Sequence, residues 1–303
     1  MSAAALPGGR RAGAGVGPRP AQVEAAPSLE LGLRLTLLGI ALDPPLLWLE
    51  RMPLLLLAGL GLAVPSALRS RALWAALLAA AAWPLVWQWP FSDNHDYLTA
   101  LWCLAVACAL SATDPARALA HHARRLVGLS FAFAVLWKVA LAPDFLDGRF
   151  MRVTLVSDGR FENLAVLAGV TTHDEWARND LALDAYLSGE ATWEESGFRE
   201  PPGLRALAGG LTAATLAMEA AVALGFLWPL GRGPSRFRNA FLLLFTATTY
   251  SFATVRGFGW LLASLGAAQA ERRAARVGYL AAFALVALYR SVPWSRFLIE
   301  RLH

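Results

Sequence analysis

Residues 204–230 read LRALAGGLTAATLAMEAAVALGFLWPL, with one arginine at the start, one glutamate inside, and otherwise small, apolar or threonine side chains. A helix over this stretch would be ~40 Å long at ~1.5 Å per residue, more than the ~30 Å of a bilayer's hydrocarbon. Comparable apolar runs lie on both sides of it, at 29–42, 52–68, 72–89, 97–113, 126–142, 237–255, 259–270 and 277–292. The chain of 303 residues is 57% hydrophobic and only 16% charged. The polar shell of a soluble domain normally takes about 25% charged residues. These observations predict an all-α, polytopic helical membrane bundle of eight or nine transmembrane helices with a small helical extramembrane insertion. Two of the runs are short. The first holds Arg34 and stops at Asp43-Pro44-Pro45, so it is interfacial, re-entrant, or continued through Leu46–Leu49; 259–270 is a span only with its flanks. Strands are excluded, because bilayer strands alternate apolar and polar residues and these runs do not.

The loops give an orientation. Residues 69–71 and 114–125 each carry a net +2, 231–238 carry +3, and 271–276 carry +2, whereas 90–96 is acidic and 143–203 carries a net −7. Basic and non-basic connections therefore alternate, as the positive-inside rule requires, which places the acidic stretch outside and the N-terminus in the cytoplasm. Four regions follow: a disordered cytoplasmic tail over 1–28, N-terminal transmembrane helices over 29–142, an acidic extracytoplasmic helical insertion over 143–203, and C-terminal transmembrane helices over 204–303. The tail is rich in Ala, Gly, Pro and Arg and lacks the apolar core of a signal peptide. In the insertion, Asp158-Gly159 marks a turn, and Thr172 with Glu175 three residues on forms a capping-box pattern. It opens an amphipathic helix through Trp176, Leu181 and Leu187.

Other classes drop out. Two cysteines inside one apolar run, Cys103 and Cys108, build neither a disulfide framework nor a zinc site. The net charge of +5 sits in short loops, so it argues for orientation in a bilayer and not for nucleic acid. His173-Asp174-Glu175 reads as a solvated helix start and His121-His122 as part of a basic loop, so no metal site is expected.

Chemistry concentrates on one residue. The chain has 27 basic Lys and Arg residues, and the only lysine, Lys138, lies within the apolar run LVGLSFAFAVLWKVALA. A cation within a membrane is costly, by ~2.5–3.5 kcal/mol on insertion scales, and is a functional hypothesis by default. Lysine can lose its proton when desolvated, which arginine effectively cannot, so Lys138 is suited to act as a base. Its expected partner is Glu219, the one acid well inside a span. Counted from the inner ends of their helices, Lys138 and Glu219 stand at ~18 Å and ~16 Å, so they meet if the helices are neighbours. Thr246, Thr249, Tyr250 and Arg256, in FTATTYSFATVRGFGWLL, are the expected substrate-binding wall. His95, set between acids beside Trp83, Trp87 and Trp89, is expected to join an outward-facing pocket.

Two of these segments carry a family resemblance. AVLWKVALAPDFLDGRFMRVTL (134–155) looks like the hallmark of the horizontally transferred transmembrane domain family, bacterial relatives of vitamin K-dependent gamma-carboxylase. There a span ends in a lysine followed by an aromatic and an acidic-Gly pair, which here would be Lys138, Phe145 and Asp147-Gly148. The helix MEAAVALGFLWPL, a basic turn, and 245–262 resemble the later part of the family's layout, with Phe245-Thr246 where the family has Phe-His. The resemblance implies that Lys138 is a base toward a reduced quinone or another lipid-soluble acid, with Glu219 orienting or balancing it, in a bacterial inner membrane. Besides the lipid bilayer and a lipid-soluble small molecule, a protein partner at the acidic loop is an expected contact. Two other readings compete with the enzyme: a transporter in which Lys138–Glu219 is a charge pair that opens, and a membrane scaffold.

Overall fold

The computed structural model describes residues 20–42, 48–253, 255–289 and 301. Every regular element among them is helical. In chain order these are α1 (Pro20–Leu42), α2 (Trp48–Ala63), α3 (Pro65–Leu68), α4 (Arg71–Trp87), α5 (Asn94–Ala109), α6 (Pro115–Ala140), α7 (Pro143–Leu146), α8 (Arg149–Ser157), α9 (Glu162–Leu167), α10 (His173–Leu187), α11 (Trp193–Ser196), α12 (Leu204–Leu227), α13 (Arg238–Tyr250), α14 (Arg256–Gln269) and α15 (Arg273–Leu288). A 3₁₀ turn, Gly233–Phe237, leads into α13.

The all-helical expectation stands, but the expected eight or nine transmembrane helices do not. Among the described residues only α12 is both long and apolar enough to cross a membrane. Composition marks an apolar run but not the length of the helix that forms in it, and most of the apolar helices are short. Val64-Pro65 breaks the run 52–68, leaving α2 with 16 residues; α4 has 17, α5 16, α14 14 and α15 16. At ~1.5 Å per residue a 16-residue helix reaches ~24 Å, short of the ~30 Å it would have to cross. The run 237–255 likewise yields only the 13 residues of α13 before the chain turns at Ser251. The two longer helices carry charge: α1 contains Glu30 and Arg34, and α6 opens with Arg117, Arg124 and Arg125.

Helix α1 also begins inside the stretch expected to be a tail, at Pro20, while residues 1–19 lie outside the described residues. It is continuous to Leu42, and Arg34 is tied to Glu30 one turn back at 2.7 Å, the short-range pairing that makes both charges tolerable.

The core is built around α14, where every residue from Gly259 to Gln269 is buried. An element that is apolar on all sides belongs in the middle of a bundle. Helix α1 crosses it closely because Gly32 has no side chain: a Cβ there would come within 2.6 Å of the Ala268 Cβ and 3.0 Å of its Cα. The Ser28 hydroxyl donates to the Ala270 carbonyl at 2.6 Å, fixing the end of the same contact. On the other side Gly266 lies flat against the Tyr279 ring of α15.

Helices α6 and α12 pair extensively and antiparallel. Gly128 of α6 meets Phe226 and Leu227 near the end of α12, and ten residues further along α6 Lys138 meets Glu219. Arg124 Nε donates to the Phe226 carbonyl at 2.8 Å, and its guanidinium also bonds the Trp228 carbonyl. A helix C-terminus leaves such carbonyls without internal partners, and a cation suits them.

The insertion is helical, as expected. It packs onto the start of α12 through a small separate apolar cluster that includes Phe145, Met151, Leu155, Leu204 and Ala208. The capping box at Thr172 is present, with Thr172 Oγ1 accepting from Glu175 N at 3.2 Å and Glu175 Oε2 from Thr172 N at 3.1 Å. A second box at Thr192–Glu195 caps α11. The expected apolar face of α10 is only partly used: Trp176 is buried and bonds the Leu155 carbonyl, but Leu181 and Leu187 are exposed, by 69% and 71%.

Candidate functional site

Helix α6 is capped by Asp114, whose side chain accepts from Arg117 N, and ends at Ala140 just before Pro143 opens α7. Lys138 therefore occupies the last turn, where the helix's partial negative end favours a cation. Its Nζ lies 2.7 Å from both Oε1 and Oε2 of Glu219 on α12. Glu219 is 7% exposed. The Lys138 side chain is 20% exposed. The ammonium also stands 5.3 Å from the centroid of the buried Phe145 ring, a cation–π distance. The two residues expected to pair are thus brought together, with both carboxylate oxygens engaged.

The remaining expected residues divide. Tyr250, at the end of α13, is buried and lies in the field of the Glu219 carboxylate. Its ring belongs to an aromatic row: the Phe245 centroid is 6.2 Å from it and the Phe131 centroid 4.8 Å from Phe245. Thr246 is buried and spends its hydroxyl on the Leu242 carbonyl at 2.8 Å. Thr248 and Ser251 do the same with Leu244 and Ala247, so these three hydroxyls bond carbonyls of their own helix. Thr249 is half-buried, and its carbonyl accepts from Phe252 N and Ala253 N where the helix ends. Arg256 is the first residue of α14, after the break that ends α13. Thr254 lies outside the described residues.

His95 lies elsewhere. Gly257 and Gly259, two residues apart in the first turn of α14, point ~200° apart. A Cβ on Gly257 would collide with the His95 ring, and one on Gly259 would lie 3.3 Å from the Tyr250 ring. Helix α14 thus separates His95 from Tyr250 and the Lys138–Glu219 pair. His95 lines a cavity of about 110 Å³ between α1, α2, α4, α5 and α14, with Glu50, Arg51, Gln88, Ser92 and Trp260 among its walls. Sequence reading placed His95 at a pocket but missed the other polar residues of this one. Glu50-Arg51, two adjacent charges at the start of an apolar run, were the available signal.

Asp93, His95 and Asp96 are the described residues whose ligand atoms, all within 4.8 Å of one another, could hold a cation. Their arrangement is divided: Asp93 lies 3.9 Å from His95 Nδ1 and Asp96 3.6 Å from Nε2, so the two acids address opposite sides of the ring.

A second polar cluster went unread. Arg238, buried at the start of α13, donates to Gln269 Oε1 at 2.8 Å and to Glu271 Oε1 at 2.9 Å. Asn239 Oδ1 accepts from both Gln269 Nε2 and the Tyr279 hydroxyl. Here every group named has a partner, so the cluster ties α13, α14 and α15 together and leaves nothing spare for a ligand.

Compared with known protein families, with curated protein sequences and with solved structures, the chain finds no match.

Proposed function

We propose that the protein works in a lipid bilayer on a lipid-soluble acid of the quinol type, with Lys138 and Glu219 acting together as its proton acceptor. The observation that carries this reading is the two-point ion pair at 2.7 Å, with Lys138 Nζ reaching both Glu219 oxygens in a half-open position among apolar side chains. The surface around it supports a lipid setting. Phe133, Leu136 and Trp137 on α6 and Leu141 just after it are exposed beside Lys138, as are Trp83 and Trp87 on α4. Exposed apolar side chains around a half-open ion pair suit contact with a membrane or a partner. The resemblance of residues 134–155 to the carboxylase-related family supports the choice of Lys138 as base.

An ammonium cannot accept a proton, so the pair must act as a unit. In a medium of low dielectric the proton shared along the Lys138–Glu219 contact can pass to the carboxylate, leaving an amine and a carboxylic acid. The Lys138 amine then takes the hydroxyl proton of the ligand. The balance is one neutral Glu219, one ammonium on Lys138 and one ligand anion held beside that ammonium, with Phe145 shielding the charge. Glu219 is the proton's store and Lys138 its point of entry.

The test is mass spectrometry of lipophilic molecules that co-purify with the protein. A quinone or isoprenoid is expected with the wild type and is expected to be lost from Lys138→Met. Bulk phospholipid alone in both preparations would overturn the base reading. The alternative of a charge pair that opens during transport is favoured by the full engagement of both carboxylate oxygens, and the same experiment separates it, since it requires no retained acid.

A further inference from the structure

The acids of the insertion fall into two groups. Asp147 pairs with Arg149, Asp158 with Arg160, Glu162 with His173 and Glu200 with Arg205. Glu175 and Glu195 close the capping boxes of α10 and α11. Asp144 apart, the acids left without an ion-pair partner among the described residues are Asp174, Asp180, Asp184, Glu190 and Glu194. All of these lie on α10, on α11 or in the turn between them. Arg178, on the same helix, stands ~160° around it from Asp180. Burial, together with the Asp184 and Glu162 carboxylates, holds the Asp180 carboxyl above its ordinary range. The negative field along α10 is thus left uncompensated by the described residues, and a cation from outside would relieve it.

The same face is also apolar. Leu181 and Leu187 are both exposed. They stand ~9 Å apart along the helix and ~120° apart around it, with Asp184 midway between them. Leu181, Asp184, Leu187, Ser188 and Glu190 line a hollow on this face. Next to Leu187, Tyr186 starts an aromatic row with Trp193 and Phe198, whose ring centroids follow at 5.3 and 5.2 Å. Tyr186 and Trp193 are exposed as well.

Charge decides what can cover such a face. A bilayer is disfavoured, because the two leucines cannot enter hydrocarbon without carrying Asp184 between them. A second copy presenting the same face would set acid against acid. We infer that this face of α10 docks a basic amphipathic helix of a partner protein. Its apolar side chains would cover Leu181 and Leu187, and its Lys or Arg side chains would meet Asp180, Asp184 and Glu190. Anchors ~9 Å apart suit side chains six or seven residues apart on a helix lying along α10.

The test uses the full chain in neutral detergent micelles and three fluorescent peptides, each about four helical turns long. One carries leucine and lysine in an amphipathic helical pattern, one serine and lysine in the same pattern, and one leucine and glutamate. Saturable binding, read as fluorescence anisotropy, is expected for the leucine–lysine peptide alone. Leu181→Ser with Leu187→Ser, and separately Asp180→Asn with Asp184→Asn, should each weaken it about tenfold or more. Both leucines and Asp184 are exposed and Asp180 is half-buried, so the variants are expected to fold, which thermal unfolding checks. Equal binding of either control peptide, or undiminished binding by either folded double variant, would overturn the assignment. Binding in micelles that disappears in a phosphatidylcholine nanodisc would also overturn it and give the face to lipid. Dimerisation of the wild type that the leucine variant abolishes would give it instead to a second copy of the chain.

Discussion

Glu219 is the residue on which most depends, because a short carboxylate at 7% exposure has one cation within reach among the described residues. Removing that cation leaves a buried charge, and neutralising the carboxylate leaves a buried ammonium, so each change costs more than the pair is worth. Glu219→Gln is expected to lower stability by roughly 1–3 kcal/mol, and Lys138→Met added to it should recover more than half of that loss. Thermal unfolding of the four proteins in detergent measures it; strictly additive losses would mean that the two side chains do not interact. This pair was legible in the sequence because each member is singular, one lysine in an apolar run and one acid in another. The Ser92–Trp260–Glu50 cavity was not legible. Its residues come from positions 50, 92 and 260, and nothing in an isolated serine or tryptophan says which helix it will face. The threonines of α13 were legible only as hydroxyls: sequence does not say whether such a group also bonds the carbonyl four residues back, as Thr246 does.

Helix type was plain in the apolar blocks, but helix length was not, and length decides whether an element crosses a bilayer. A run such as 52–68 gives no weight to one Pro, whereas the backbone stops there; the same holds at Ser251, where no proline or glycine marks the break. Glycines on these helices divide into two kinds with opposite predictions. Gly32 faces the Cβ and backbone of Ala268, which cannot rotate away, so Gly32→Ala should force α1 from α14 and cost about 1–3 kcal/mol. Gly210, inside α12, has nothing within 4 Å of the position of a Cβ, and there Ala should add about 0.5–1 kcal/mol through helix propensity alone. Opposite shifts in midpoint temperature are expected from the two variants; shifts of the same sign would contradict the packing of α1 on α14. In the insertion, Thr172→Ala removes the capping box of α10 and should cost about 1 kcal/mol, read as faster amide exchange in the first turn of that helix.

At the scale of the whole molecule the chain has two cores, one around α14 and one smaller cluster beneath the insertion, and acid should separate them. In the insertion the Arg160 side chain bonded to Asp158 holds that carboxyl below its ordinary range. The bond from Arg205 does the same for Glu200, and those from Thr192 for Glu195. Carboxyls lowered on folding contribute stability that is present above their unfolded pKa, about 4, and is lost as pH falls through the lower folded values. Limited proteolysis is therefore expected to reach residues 143–203 below about pH 4 before the helices around α14 are cut. Simultaneous cutting would mean that the insertion has no separate stability. The first turn of α14 stands between the two candidate sites, with the His95 ring against Gly257, and Val286 and the Tyr250 ring against Gly259. Neither position leaves room for a Cβ, so the His95 ring on one side and the Val286 and Tyr250 side chains on the other hold this turn like the jaws of a vice, and a side chain added at either glycine would have to push one jaw open.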